Sequence, residues 1–213
     1  MRMRYGEPLM VTNPVAIMRR ENARLQAENE RLEEELRNLR DFVQILNDLT
    51  QASKTITSDA ELLPLLEHIF TKALNLLNAP DGSLMLLDDE SSELVFVLVK
   101  GALAANLKGY RIPANEGIAG WVIENAEPTL VRDVRRDPRF SHTVDEQFTF
   151  HTQSIVAAPL VGDRKVLGVI EALNKPGDQP FNDTDLALLG LLCRFAGEAL
   201  ADIERISPPQ AAP

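Results

Sequence analysis

A heptad repeat near the N-terminus sets strong limits on the architecture of this chain. Large apolar residues occupy heptad position d, seven residues apart, and a second series lies three residues earlier at position a. The d series is Met18, Leu25, Leu32, Leu39 and Leu46, and the a series is Val15, Asn22, Asn29, Leu36 and Val43. A seven-residue apolar period sustained over this length is typical of a coiled coil, because a surface helix usually loses the period sooner.

The polar residues of the repeat indicate how many helices associate and in which direction. Asn22 and Asn29 occupy position a, where asparagine pairs across a parallel two-stranded coil and fixes its register at a cost in stability. Glu35 at position g would attract Arg40 at position e of the second helix, whereas the preceding contact of this kind pairs two glutamates. We therefore predict a parallel coiled-coil homodimer over residues 15–57. A single amphipathic helix that packs on its own domain is the alternative.

The rest of the chain divides into one globular domain and two short tails. Residues 1–14 and 207–213 mix proline and small or polar residues without any period, and we predict that both are disordered. Residues 58–206 are long enough, and apolar enough, for one substantial core. No internal repeat is evident.

Apolar spacing within residues 58–206 predicts an α+β fold. Helical spacing predicts a first helix that begins after Ser58 or Asp59 and ends before Asn78, and a closing helix over residues 183–206. Short apolar runs predict five strands, at residues 83–87, 94–99, 129–131, 154–161 and 166–173. The turn at residues 162–164 makes the last two strands antiparallel neighbours. We expect an antiparallel sheet with helices on one face and irregular lid segments on the other.

The segment that runs from Gly168 to Lys175, with Phe181 and Asp185 after it, joins a strand to the closing helix. We expect the strand to be a buried edge of the sheet, and Lys175 and Asp185 to form an ion pair across the loop. With Asn174, this pattern resembles the Asn-Lys…Phe…Asp-Glu signature of the GAF domain family, in which Asn174, Lys175, Phe181 and Asp185 would act as a structural clamp. Leu186 stands where the signature often has glutamate.

The resemblance to GAF domains extends over about residues 60 to 205. Further landmarks occur in the family's order at residues 81–87, 116–122, 133, 137–140 and 154–160. GAF domains are regulatory modules of cyclic-nucleotide phosphodiesterases, adenylyl cyclases and bacterial signalling proteins. The resemblance implies the GAF fold, with a ligand pocket between the sheet and a lid at about residues 112–152.

That lid segment contains the residue types a pocket for a small planar or anionic molecule would use. Glycines at the start of a helix allow close backbone approach, aromatic side chains supply walls, and hydroxyl and carboxylate groups supply polar contacts. The predicted ligand-binding residues are Ile112, Gly117, Gly120, Trp121, Thr129, Asp133, Phe140, Phe148, Thr152 and Ser154. The alternative is that the glycines permit tight packing, the aromatic rings fill the core and the nearby arginines form a solvated face.

Composition and isolated reactive residues argue against several classes of function. A net charge of −10 argues against a nucleic-acid or anionic-membrane surface, and no apolar run approaches the length of a membrane span. We therefore expect a cytoplasmic protein with no nucleic acid and no membrane as partner. His68, His142 and His151 are scattered, which predicts neither a metal site nor a catalytic triad. Cys193, the one cysteine, lies in an apolar run and has no resolving partner for thiol chemistry.

These observations favour a non-enzymatic sensory or regulatory GAF domain protein. It would dimerise through the coiled coil and signal to an unidentified partner protein on binding a small molecule. No cofactor is required by the residues, and the resemblance makes a cyclic nucleotide one candidate ligand. The first alternative is a ligand-free dimeric adaptor or scaffold that uses the fold for protein–protein interaction, and the second is an enzyme with a small substrate in the same pocket.

Overall fold

The computed structural model describes residues 14–55 and 59–206, and the chain divides into two compact units between Arg40 and Asp41. The predicted tails lie outside the described residues, except for Pro14, which begins the first helix. Among the helices in these ranges, none combines the length and the apolar composition needed to cross a lipid bilayer.

The described part of the first unit is helical. It belongs to α1, which runs from Pro14 to Thr55 and continues into the second unit. Its large apolar side chains at positions a and d are between 45% and 66% exposed; these are Val15, Met18, Leu25, Leu32, Leu36 and Leu39. Arg24 pairs with Glu21 at 2.7 Å and with Glu28 at 3.8 Å along the helix surface. Such exposed pairs contribute little to stability, so the exposed apolar stripe is the main feature of this segment.

The second unit is built on a six-stranded antiparallel sheet with the order β3-β2-β1-β6-β5-β4. The strands are β1 (Asp81–Asp88), β2 (Glu93–Lys100), β3 (Arg111–Pro113), β4 (Thr129–Val131), β5 (Ile155–Gly162) and β6 (Lys165–Leu173). The five predicted strands are all present. The prediction of an edge position for the strand at 168–173 was wrong, since β6 pairs with β1 on one side and β5 on the other.

Besides the end of α1, five helices accompany the sheet among the described residues of this unit. They are α2 (Asp59–Leu76), α3 (Ala104–Leu107), α4 (Gly117–Asn125), α5 (Thr143–Phe148) and α6 (Asp183–Ile206), with short 3-10 turns at Val134–Arg136 and Pro176–Asp178. The helix α2 ends where Asn78 adopts a positive φ of 51° and the Ala79 amide bonds the Leu74 carbonyl, a geometry that satisfies the last carbonyls of a helix. The fold is the α+β arrangement predicted from the sequence.

Alternating residues of β5 and β6 face two different apolar layers. On one face, which we call the helix face, Ile170 and Ala172 of β6 pack among α2, α6 and two residues of α1, Phe42 and Ile45. On the opposite face, Val169 of β6 packs beneath the lid, which we define as segments 114–128 and 132–153. This period of two decides which strand residues can reach a site under the lid.

The helix α6 lies against β5 with almost no space between the two backbones. A Cβ atom added at Gly197 would collide with the Val161 backbone, and one added at Gly162 would collide with the Gly197 carbonyl. Glycine at both positions therefore permits a contact that a side chain would prevent. Nearby on α6, Cys193 is fully buried, and burial raises the pKa of its thiol far above the ordinary range.

Candidate functional site

A cavity of about 90 Å³ lies between the sheet and the lid. Its floor comes from β1, β2, β5 and β6, and its roof from the start of α4 and from α5 with the residues that flank it. Most of its wall is apolar, with Phe96, Ile118, Val144, Ile155 and Leu173 among the lining side chains. The sheet and lid thus enclose the pocket where the resemblance implied one.

Four of the ten predicted ligand-binding residues line this cavity, namely Ile112, Gly117, Phe140 and Thr152. The other six lie outside its lining; they are Gly120, Trp121, Thr129, Asp133, Phe148 and Ser154. The segment was therefore informative as a whole, whereas residue type alone did not show which side chains turn inward.

Three of those six take part in packing around α4 and Arg139. A Cβ at Gly120 would collide with the backbone of Asn115, so this glycine lets α4 approach the preceding loop. The Arg139 guanidinium lies 4.6 Å from the Trp121 ring centroid and donates a 3.2 Å hydrogen bond to Thr129 Oγ1. Arg139 also binds Asp137, which holds the pKa of that carboxyl below its usual value.

The remaining three have other neighbours. Asp133 accepts a hydrogen bond from the Arg135 amide and shares a shallow outer groove with Ser154. The Phe148 ring meets Tyr110 edge to face at 5.2 Å. These three side chains therefore lie outside the cavity wall, which other residues form.

The floor of the cavity carries two polar side chains that the sequence analysis did not select, Ser83 and Glu171. They are cross-strand neighbours, paired in register between β1 and β6, so their side chains share the lid face. Ser83 is 3% exposed, and its Oγ has no hydrogen-bond partner within the described residues. Each interrupts an apolar strand run, and that interruption was the signal available in the sequence.

Glu171 lies in an environment that disfavours its charge. Burial raises the pKa of its carboxyl from 4.5 to about 7, with no described residue donating a hydrogen bond to offset the loss of water. A half-buried acid with this pKa in a cavity is the kind of group that binds ligands or transfers protons.

Two other carboxylates of the cavity wall, Glu116 and Asp145, form hydrogen bonds within the lid. Glu116 accepts hydrogen bonds from Ser141 Oγ at 2.5 Å and Thr143 Oγ1 at 2.7 Å, and those bonds, Ser141 foremost, lower its pKa. Asp145 accepts from the Thr152 amide and hydroxyl at 2.9 and 2.7 Å. These bonds fasten α5, which has no buried residue of its own.

The predicted clamp residues connect the lid to α6. Asn174 Oδ1 accepts from the Gln153 amide at 2.8 Å, while its Nδ2 donates to the His151 carbonyl at 3.1 Å. The next residue, Lys175, bonds both carboxylate oxygens of Asp185 at 2.8 Å and lies 5.4 Å from the Phe181 ring centroid.

The side chains of the described residues do not bring three or more His, Cys, Asp or Glu groups together in a way that could hold a metal ion.

A family model of the GAF domain matches residues 61–200. This chain belongs to the GAF domain family. Members are generally regulatory, ligand-binding domains, and their fold agrees with the sheet, helices and lid found in this GAF domain.

Two solved structures show the same fold at low sequence identity. The GAF domain of a phosphoenolpyruvate-protein phosphotransferase from Coxiella burnetii has a TM-score of 0.64 at 22% identity and covers 78% of this chain and 95% of its own. Free methionine-R-sulfoxide reductase from Neisseria meningitidis, in complex with its substrate, has a TM-score of 0.61 at 20% identity. The match covers 77% of this chain and 90% of the reductase chain.

A curated relative matches part of the GAF domain at higher identity. It is the cone cGMP-specific 3',5'-cyclic phosphodiesterase subunit alpha' of Mus musculus, 32% identical over 88 residues. The match spans 41% of this chain and only 10% of that subunit, so the two share a module and differ in most of their length.

Proposed function

We propose that this protein is a non-enzymatic sensory module of the cytoplasm that binds a small molecule under its lid and signals to a partner protein as a coiled-coil dimer. The observation that carries the proposal is the pair Ser83 and Glu171 at the floor of an apolar cavity. A buried hydroxyl without a partner and a half-buried acid without a donor each reduce stability. A ligand with hydrogen-bonding groups would satisfy both.

The neighbouring residues Asn174 and Lys175 supply a route from this cavity to the end of the domain. Asn174 binds the chain beside Thr152, which lines the cavity, and Lys175 binds Asp185 in the first turn of α6. A ligand that displaces the lid would therefore act on α6 through adjacent backbone positions. It shifts the protein between two states only as far as it binds them unequally.

Two of the similar proteins support binding of a small molecule. The phosphodiesterase subunit is named for cyclic GMP, and the free methionine-R-sulfoxide reductase was solved with its substrate. A ligand-free adaptor is the second candidate. The size of the cavity favours it, since ligand pockets usually enclose about 300–1,000 Å³ and this one is much smaller.

Native mass spectrometry tests sensor against adaptor. The sensor predicts a dimer that carries a small molecule after purification, or that gains one when cyclic AMP, cyclic GMP or a metabolite extract is added. Denaturation would release the molecule for identification. A dimer that remains free of any small molecule through these additions would support the adaptor instead.

Replacing Leu32 and Leu39 together by serine is expected to convert the dimer to a monomer, because both occupy position d of the exposed heptad stripe. Sedimentation equilibrium measures the mass directly. The matched control replaces Glu30 and Arg37, at the outward position b, by serine. An unchanged dimer in the leucine variant would rule out the coil as the essential interface.

A further inference from the structure

Resting on the proposed ligand-binding function, we infer that the cavity takes a small organic cation with N–H donors, an alkylammonium or amidinium, rather than a phosphate-bearing nucleotide. Glu171 and Ser83 receive the N–H groups, and the apolar wall surrounds the carbon skeleton.

The charges around the cavity favour a cation. Four carboxylates line it, namely Asp81, Glu116, Asp145 and Glu171, against one ammonium, Lys100. The Lys100 Nζ already donates a 2.9 Å hydrogen bond to Asn75 Oδ1. A phosphate placed among these groups would meet repulsion from most sides in a medium that screens charge poorly.

Glu171 is the carboxylate left for the ligand. Asp81 accepts from the Ala102 amide at 2.8 Å, and Glu116 and Asp145 are bonded to the lid. Beside Glu171 stands the unpartnered hydroxyl of Ser83, 3% exposed on the cavity floor. Together they offer acceptor sites to a group with several N–H donors, as an ammonium or amidinium has.

The size of the cavity agrees with a small ligand. An engineered protein cavity of about 150 Å³ holds benzene, and the volume under this lid is about 90 Å³. An alkyl chain of a few carbons fits that space. A cyclic nucleotide would have to displace α5, together with the bonds from Glu116 to Ser141 and Thr143.

The inferred interaction also predicts how affinity varies with pH. Facing Glu171 in the cavity are Asp81 of β1, Lys100 of β2, Glu116 before α4 and Asp145 of α5, while β5 contributes the untitratable Ala157. A cation binds the ionised carboxylate, whose ionised fraction rises about tenfold between pH 6 and pH 8 for a pKa of about 7. The affinity for a cation therefore rises by up to about tenfold over that interval.

The test adds n-butylammonium, butyrate, n-butanol or cyclic AMP, each separately, to the full chain. Binding is measured by the change in amide chemical shifts in nuclear magnetic resonance spectra. We expect butylammonium to shift the amides of Ser83, Glu171 and their neighbours, with tighter binding at pH 8 than at pH 6. Glu171→Gln should weaken this binding at least tenfold at pH 8. Ser83→Ala, which retains the carboxylate, should weaken it less, and Glu90→Gln in the exposed β1–β2 turn should leave it unchanged.

Three results would overturn the inference, and they are distinguishable from one another. If butyrate or cyclic AMP shifts the cavity amides and butylammonium does not, the ligand class is wrong while the sensory function stands. If no probe shifts them, and native mass spectrometry finds no ligand, the proposed function fails as well. Binding of butylammonium that is equal in Glu171→Gln and in the native protein would also refute the assignment of Glu171.

Discussion

Replacing Asp185 by alanine is expected to lower the free energy of unfolding by about 3–5 kcal/mol. The Asp185 side chain is 8% exposed, and it accepts hydrogen bonds from Lys175 Nζ and from the Asn182 amide, both at 2.8 Å. Its removal would leave the Lys175 ammonium, itself 16% exposed, without its counter-charge. Urea denaturation followed by circular dichroism measures the change.

Asp183→Ala is the matched control for this experiment. Asp183 lies on the same first turn of α6 and binds Arg132 at 2.9 Å, but its side chain is 85% exposed. An exposed pair contributes about 0–1 kcal/mol, so the control should change stability little. Equal effects of the two variants would show that Lys175 and Asp185 do not clamp the domain. Replacing Lys175 by methionine in the Asp185→Ala background should recover part of the loss, because the unpaired charge is then absent.

Replacing Glu171 by glutamine is expected to stabilise the protein at pH 8, by up to about 3 kcal/mol. The carboxyl has a folded pKa of about 7 against 4.5 in the unfolded chain, so the folded state retains its proton to higher pH. The resulting destabilisation of the native protein is absent below about pH 4.5, grows between about pH 4.5 and pH 7, and is complete above that range. Glutamine keeps the shape and removes the charge.

Urea titrations at pH 5 and pH 8 measure this effect without any ligand. The difference between Glu171→Gln and the native protein should be small at pH 5 and large at pH 8, whereas Glu90→Gln should show no such change. A difference that is the same at both pH values would refute the assignment of the titration to Glu171. If the expected result is found, the native protein keeps a destabilising acid at its proposed binding site, as functional sites often do.

Local sequence signals predicted most of the sheet and its terminal helices. The turn after β5 could be recognised because Gly162 and Asp163 are residue types common in tight turns, and the structure gives Asp163 and Arg164 positive φ values. The alternation of apolar residues along the strands and the helical spacing of apolar residues in α6 both result from burial on the helix face. Each of these signals lies within a few residues along the chain.

Features that depend on distant partners were harder to predict. Nothing within β6 shows that it has a neighbour on both sides. The strand β3 buries only Ile112, so it shows no apolar run that would reveal it. Ser83 and Glu171 are far apart in sequence, so their meeting requires the register between β1 and β6. Trp121 and Phe148 are aromatic residues of the kind that line ligand pockets, but packing places both outside the cavity wall.

The contact between Gly197 and the backbone of β5 limits the kind of motion that α6 can transmit from this domain. With no side chain between them, the two backbones lie in direct contact, which leaves α6 and β5 little room to shift relative to each other. We therefore expect the helix and the strand to move together as one rigid body. Any signal that reaches the end of α6 would then be a tilt or rotation, whose displacement grows with distance from the sheet.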